Sequence, residues 1–304
     1  MTPSPPTTTP ILVTGAHRSG STWVGRMLAL DPSVVYIHEP FNPLTDPGIC
    51  PITFEHWLTY VCKDNEAAYR DGLRRTLQLR YQFGRGLGSV PGWIDRAARL
   101  RKGLRWMRYR LQGRRPLIKD PIALFSAEWL AQQFQMQVVV LIRHPAAFAG
   151  SLKVKGWTFG FDQLLAQPLL MRDWLEPYRD QLEAYQAGRP DLIDQAALVW
   201  RIMYGTVLTY RRRHPDWLFL RHEDLSRQPV PRFRRLFERL GLHFTPRVQR
   251  AIQRHSSASV PSEFHRDSTA NIQAWKQRLS PDEIERLRTA TRPLADTFYD
   301  PSEW

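Results

Sequence analysis

Nine residues near the start of the chain have the composition of an anion cradle. Gly15-Ala16-His17-Arg18-Ser19-Gly20-Ser21-Thr22-Trp23 follows a short apolar run, Ile11 to Thr14, and leads into apolar residues at helical spacing. Glycines let a backbone curl until successive amides and a helix N-terminus face one anion. The G-x-x-x-x-G spacing followed by Ser-Thr is the framework of a nucleotide triphosphate loop, in which a Lys after the second Gly reaches the β- and γ-phosphates. Here that position is Ser21, and the cation, Arg18, has moved inside the loop. The loop therefore fits an anion other than the triphosphate of a P-loop kinase, which stands as the alternative enzyme.

Arg143 closes an apolar run and Ser151 stands eight positions on, each a commonplace residue when taken alone. A guanidinium fork binds phosphate bidentately. A Ser about two helical turns beyond Pro145 can return to the same oxygens. Two further groups stand at strand ends, where ligands bind in parallel sheets. Glu39 follows Tyr36-Ile37-His38, and Lys119 precedes Asp120-Pro121. Glu39 is the candidate general base, with burial expected to raise its pKa into the working range; the alternative is a carboxylate that merely pairs with Arg18 or Lys119. His38 should face the other side of the strand. His17 is expected to touch the ligand or pack locally, and His144, before a proline, to be structural.

Taken together, these motifs resemble the sulfotransferase family, whose donor is 3′-phosphoadenosine 5′-phosphosulfate (PAPS). Arg18-Ser19-Gly20-Ser21-Thr22-Trp23 matches its 5′-phosphosulfate loop, and Arg143 with Ser151 matches its 3′-phosphate site. The Arg form of the loop is similar to the carbohydrate and tyrosylprotein branches. Lys119-Asp120-Pro121 is similar to a segment that approaches the transferring group. Glu39 sits where several branches carry a catalytic Glu, and Glu223-Asp224-Leu225 resembles a segment many branches share. The match runs from about Ile11 to Leu225. Beyond it only Asp267-Ser268-Thr269 and Trp275-Lys276 hint at residues that close over the donor, and the cytosolic branch's Arg-Lys-Gly motif is absent. The resemblance implies a P-loop-like α/β fold, PAPS as donor substrate without a metal, and a hydroxyl-bearing acceptor on a glycan, glycolipid or small molecule. It implies Glu39 as base, Arg18 and Lys119 as the cations that meet the developing charge, and a donor held by Arg18, Ser19, Gly20, Ser21, Thr22, Trp23, Arg143 and Ser151.

The elements needed to position these groups are legible in the hydrophobic pattern. Apolar runs at Ile11 to Thr14, Val34 to Ile37, Pro116 to Lys119, Val138 to Ile142 and Trp217 to Leu220 read as strands. Helical patterns separate them at Leu124 to Phe134, Pro145 to Lys153, Leu164 to Ala187 and Leu192 to Arg213. Short β-branched runs alternating with helices predict a parallel central sheet flanked by helices. A flexible leader, residues 1–10, is expected before a single domain, 11–304, with an insertion at about 50–115. Two cysteines, Cys50 and Cys62, make neither a disulfide framework nor a zinc site. No run approaches a transmembrane span, and the first residues have no secretory pattern, so a reduced, cytoplasmic setting is expected.

Of the 304 residues 43 are Lys or Arg and 29 are Asp or Glu, a net charge of +14. Between Arg70 and Arg115 there are fourteen Lys or Arg and two acids, so nearly all of the excess lies in the insertion. Leu100, Leu104, Met107 and Leu111 recur there at helical spacing, with Arg101, Lys102, Arg105, Arg108 and Arg110 filling much of the circumference. Such a helix is either a solvated face or a contact for an anionic glycan or a membrane surface, and no nucleic-acid-binding signature is present. With Glu39 before it and Lys119 after it, the insertion is expected to fold over the acceptor side. A polyanion- or membrane-binding module is the non-enzymatic alternative, but it leaves two phosphate motifs unused.

Overall fold

The computed structural model describes residues 9–188, 190–256 and 272–304. Five strands form one parallel sheet: β1 (Ile11–Gly15), β2 (Val34–His38), β3 (Arg115–Lys119), β4 (Gln137–Ile142) and β5 (Leu218–Arg221), in the order β2-β3-β1-β4-β5. β1 lies centrally, with Leu12 opposite Ile118 on one side and Val138 on the other. The expected doubly covered α/β architecture is what the chain adopts, and the strands alternate between two cores. Leu12, Ile118, Val138 and Val140 face one apolar cluster, Ile11, Val13, Leu117 and Val139 the other.

Six helices follow in the first half: α1 (Ser21–Leu28), α2 (Arg70–Leu77), α3 (Phe83–Gly88), α4 (Trp93–Leu111), α5 (Ala127–Phe134) and α6 (Pro145–Lys155). α1 packs Val24, Met27 and Leu28 with Phe233, Leu236 and Phe237 of a later helix on one face. α6 and the long helix Leu192–Arg213 cover the other. The insertion is not an appendage. Leu73, Leu77, Tyr81 and Trp106 join the larger core, and Asp46, after β2, pairs with Arg99 and Lys102 of α4.

One expectation changes. The single helix read over Leu164 to Ala187 is broken into short turns before Arg179–Gly188, because Pro168 and Pro177 remove amide donors inside it. The helix expected on Leu100, Leu104, Met107 and Leu111 is the later part of α4, and α2 and α3 precede it in the basic stretch, with the buried Gly86 inside α3 and Gly103 of α4 both set close to Tyr81. Of the expected leader, residues 1–8 lie outside the described residues, while the Pro10 carbonyl already accepts from the Gln137 amide at 2.9 Å. Among the described residues no helix is long and apolar enough to cross a membrane.

Candidate active site

The loop between β1 and α1 turns where the Ser19 amide donates to the Ala16 carbonyl at 3.1 Å. Gly20 then caps α1 with φ 93°, a backbone state that costs L side chains dearly. A Cβ there would also strike Nδ1 of His222, just beyond β5. The loop is lined with polar atoms that lack protein partners among the described residues. These are Ser19 Oγ, on a side chain with no solvent exposure, Trp23 Nε1 and His222 Nδ1. Trp23 meets His222 and Phe233 edge-on, with ring centroids 5.8 and 5.1 Å apart. Buried polar groups are ordinarily satisfied, so a cluster of orphans at one curled loop marks a place built for a polar ligand.

The second motif closes on the first. The Arg143 guanidinium donates to the Arg18 carbonyl, and Arg18 Nε donates to Ser151 Oγ at 3.0 Å. The Arg143 Nε is buried and has no protein partner among the described residues. Its backbone is clamped by the helix Leu192–Arg213: the amide donates to the Tyr204 hydroxyl at 3.0 Å, and Trp200 Nε1 donates to the carbonyl at 2.9 Å. Burial lowers the Arg143 pKa, against the opposing pull of Glu223. Glu223 accepts from the His144 amide and from the Tyr299 hydroxyl, both at 3.0 Å. His144 caps α6, stacks on Trp275 and is pushed by burial down to about 3, which makes it the structural residue expected. His17 packs between Phe148 and Phe159 and is driven by desolvation to about 4, so of the two roles open to it, local packing is the one observed.

Glu39 and Lys119 stand at the C-terminal ends of the paired strands β2 and β3. The Glu39 amide donates to the Lys119 carbonyl at 2.9 Å, and the Lys119 ammonium bonds to Glu39 Oε1. Lys119 is 1% exposed. Gly25 of α1 creates the space for it, since a Cβ there would fall 3.1 Å from the Lys119 side chain and 2.9 Å from the Tyr36 ring. Asn42 Nδ2 donates to Glu39 Oε2 at 3.1 Å. Asp120 braces both exits by accepting the amides of Phe41 at 2.8 Å and Ile122 at 2.9 Å, and burial raises it to about 7.

Two expectations about this pair are corrected. Burial does push the Glu39 carboxyl up, but the Lys119 ammonium, its hydrogen bond and the neighbouring His38 outweigh it. The net result is a pKa below the usual carboxylate value. His38 does not face away either: Glu39 leaves the strand at φ 44°, ending the alternation, and His38 Nε2 comes within 3.8 Å of Glu39 Oε2. Residue 119 is at the catalytic rim but Arg115 begins β3 at the opposite rim, so the insertion meets the site at its start only. Sequence reasoning also passed over Trp200, Tyr204, His222 and Tyr299. The i, i+4 spacing of Trp200 and Tyr204, two aromatics with polar tips on one helix face, was a readable signal. The ring of Trp157, half exposed, lies with its centroid 5.5 Å from the Arg18 guanidinium. Asp267, Ser268 and Thr269 lie outside the described residues, whereas Trp275 packs on His144 and Lys276 donates to the Trp304 carbonyl at 3.3 Å.

A sequence model of the sulfotransferase family matches residues 10–246. Mouse carbohydrate sulfotransferase 4 is 22% identical over an alignment that covers 94% of this chain and 80% of that protein. Among solved structures, the sulfotransferase domain of the Synechococcus PCC 7002 olefin synthase is 20% identical, covers 98% of each chain and superposes with a TM-score of 0.47. Mouse sulfotransferase SULT7A1 complexed with PAP is 12% identical over 97% of this chain and 91% of its own, with a TM-score of 0.43.

Proposed function

The chain belongs to the sulfotransferase family, and on that premise we propose that it transfers the sulfuryl group of PAPS to a hydroxyl of a glycan, glycolipid or small molecule. The observation that carries this reading is the convergence of Arg18, Arg143 and Ser151 beside the unpartnered Ser19 Oγ and Arg143 Nε. Two anion-binding motifs from separate strands meet there, as a donor with phosphates at both its 3′ and 5′ ends requires.

Bound PAPS supplies an activated sulfuryl group on a phosphate leaving group. The loop amides and the Ser19, Ser21 and Thr22 hydroxyls would hold the 5′ end, with Trp23 behind them, and Arg143 and Ser151 the 3′-phosphate. Transfer forms a bond from the acceptor oxygen to sulfur and breaks the bond from sulfur to the phosphate oxygen. The acceptor proton goes to a Glu39 carboxylate oxygen, and the developing negative charge is met by Lys119 and Arg18. Glu39 is held ionised by Lys119, so it is ready to accept a proton but is a weak base while the pair is closed. Turning the ammonium toward the leaving oxygen raises the basicity of Glu39 in the same movement. No step here asks for a metal, and the proposal includes a cytoplasmic setting for a chain with two free thiols. The test is transfer of label from ³⁵S-PAPS to candidate acceptors, with release of adenosine 3′,5′-bisphosphate. Labelled product that forms equally well with Glu39→Gln would overturn the assignment of the base.

A further inference from the structure

We propose that α4 is a membrane-surface helix, docking the protein on bilayers that carry anionic lipid. The helix has two distinct apolar faces. One is turned inward, where Gly103 and Trp106 pack against the insertion's own core. The other is open: Trp93 is 79% exposed and Leu111 81%, and Leu100, Leu104 and Met107 are each nearly half exposed. These five positions are spaced seven, four, three and four residues apart, so they form one stripe along the helix. At about 1.5 Å per residue the stripe runs some ~27 Å. A soluble domain has no need of so long an apolar ridge, and contiguous exposed patches of this kind mark interaction sites.

The charges beside the stripe identify what it fits. Arg101, Arg105 and Arg108 flank it on one side, Arg96 and Arg110 on the other. The helix carries a single acid, Asp95. Among the described residues no ion pair engages Arg101, Arg105, Arg108 or Arg110, whereas the inward Arg99 and Lys102 are both tied to Asp46. Arg96 is tied only by Nε to the Val90 carbonyl at 3.2 Å. An apolar stripe bordered on both sides by long cations without acidic partners is the arrangement of a helix lying in a bilayer interface, stems along the acyl boundary and guanidinium groups among the phosphates. A second copy of this chain is disfavoured as the occupant, because stripe-to-stripe contact would bring two arginine arrays together without acids between them. The anchoring Trp93 at one end of the ridge suits the headgroup level.

The test is co-sedimentation of the full chain with phosphatidylcholine vesicles, with and without phosphatidylglycerol. Binding is expected only with the anionic lipid. Leu100→Ser/Leu104→Ser/Met107→Ser and, separately, Arg101→Glu/Arg105→Glu/Arg108→Glu should each weaken it by roughly tenfold or more. Bromolipid quenching offers a readout that does not depend on those variants: wild-type emission should fall on binding, and Trp93→Phe should remove part of that fall. Binding that survives the serine variant unchanged means simple counter-ion attraction and overturns the proposal. So does a lipid-free dimer, seen by sedimentation velocity, that the serine variant abolishes, or a wild type that ignores anionic vesicles. None of these readouts involves donor or acceptor, so they stand or fall apart from the catalytic reading.

Discussion

Glu39 and Lys119 are joined twice, by a backbone hydrogen bond of 2.9 Å between their strand exits and by an ion pair between their side chains. The proposed base and cation therefore cannot drift apart through loop movement, and only side-chain rotation separates them. The expected consequence is strong interdependence. Glu39→Gln should lower kcat by about 10²–10⁴ with donor affinity near normal. Lys119→Ala should slow turnover as well, and the double variant should lose less than the product of the two effects. Steady-state kinetics decide the matter. Near-normal turnover in Glu39→Gln, with a large loss in His38→Ala, would move the base to the neighbouring histidine.

Arg143 should tell a 3′-phosphate from its absence. Wild-type protein is expected to bind adenosine 3′,5′-bisphosphate more tightly than adenosine 5′-phosphate by roughly 1.5–3 kcal/mol, the range for hydrogen bonds to charged groups. Arg143→Ala should erase most of that difference. Titration calorimetry with both ligands provides the comparison, and equal affinities in the wild type would contradict the 3′ assignment.

Gly25 is a test of the packing behind Lys119, the proposed catalytic cation. Gly25→Ala adds one methyl where Lys119 and the Tyr36 ring leave no room. Overpacking of this kind costs about 1–3 kcal/mol of stability. It should also reduce kcat, because what must move is the Lys119 side chain near its root. Denaturant melts and kinetics on the same variant measure both.

Acid should loosen this rim before the rest of the protein has reason to unfold. His17, His144 and His222 are held neutral by burial, at about 4, 3 and 3, against an ordinary value of 6.5. Their folded pKa values are lowered, so the unfolded chain takes up the protons first. Stability is then lost as pH falls from about 6.5 towards 4, by about 1.4 kcal/mol per pH unit for each histidine. Asp120, raised to about 7, works in the opposite sense and offsets one of the three. Glu223, which burial also raises, adds to that offset. Urea melts across the window should therefore show stability falling with pH less steeply than the three histidines alone would give, and His222→Asn should lower the slope by about 1.4 kcal/mol per pH unit.

Local chemistry was legible in the sequence, and long-range chemistry was not. The curled loop at Gly15 to Ser21 and the Arg143–Ser151 pair could be read because their meaning lies within ten residues. The five strands could be read because both faces of the sheet are covered, which leaves unbroken apolar runs. The pKa of Glu39 could not, since its sign depends on Lys119 eighty residues away and on a left-handed backbone at the strand exit. Nor could the wall behind Arg143, which Tyr204, Glu223 and Tyr299 build from three distant segments. The helix over Leu164 to Ala187 failed for a simpler reason: apolar periodicity persisted through Pro168 and Pro177, and the prolines won.

The strand order imposes a sequence of events on folding. β1 is first in the chain but central in the sheet, and its neighbours β3 and β4 pair with it across more than a hundred residues. Such long loop closures are slow, and their entropy is lost before any contact repays it. During synthesis the anion loop therefore emerges early and waits, an apolar strand beside it unpaired, while the arginine-rich helices are made. Those helices are local structures that can form within microseconds, well before the long closures are made. The length of the insertion therefore sets how long β1 must stay unpaired before β3 and β4 can reach it.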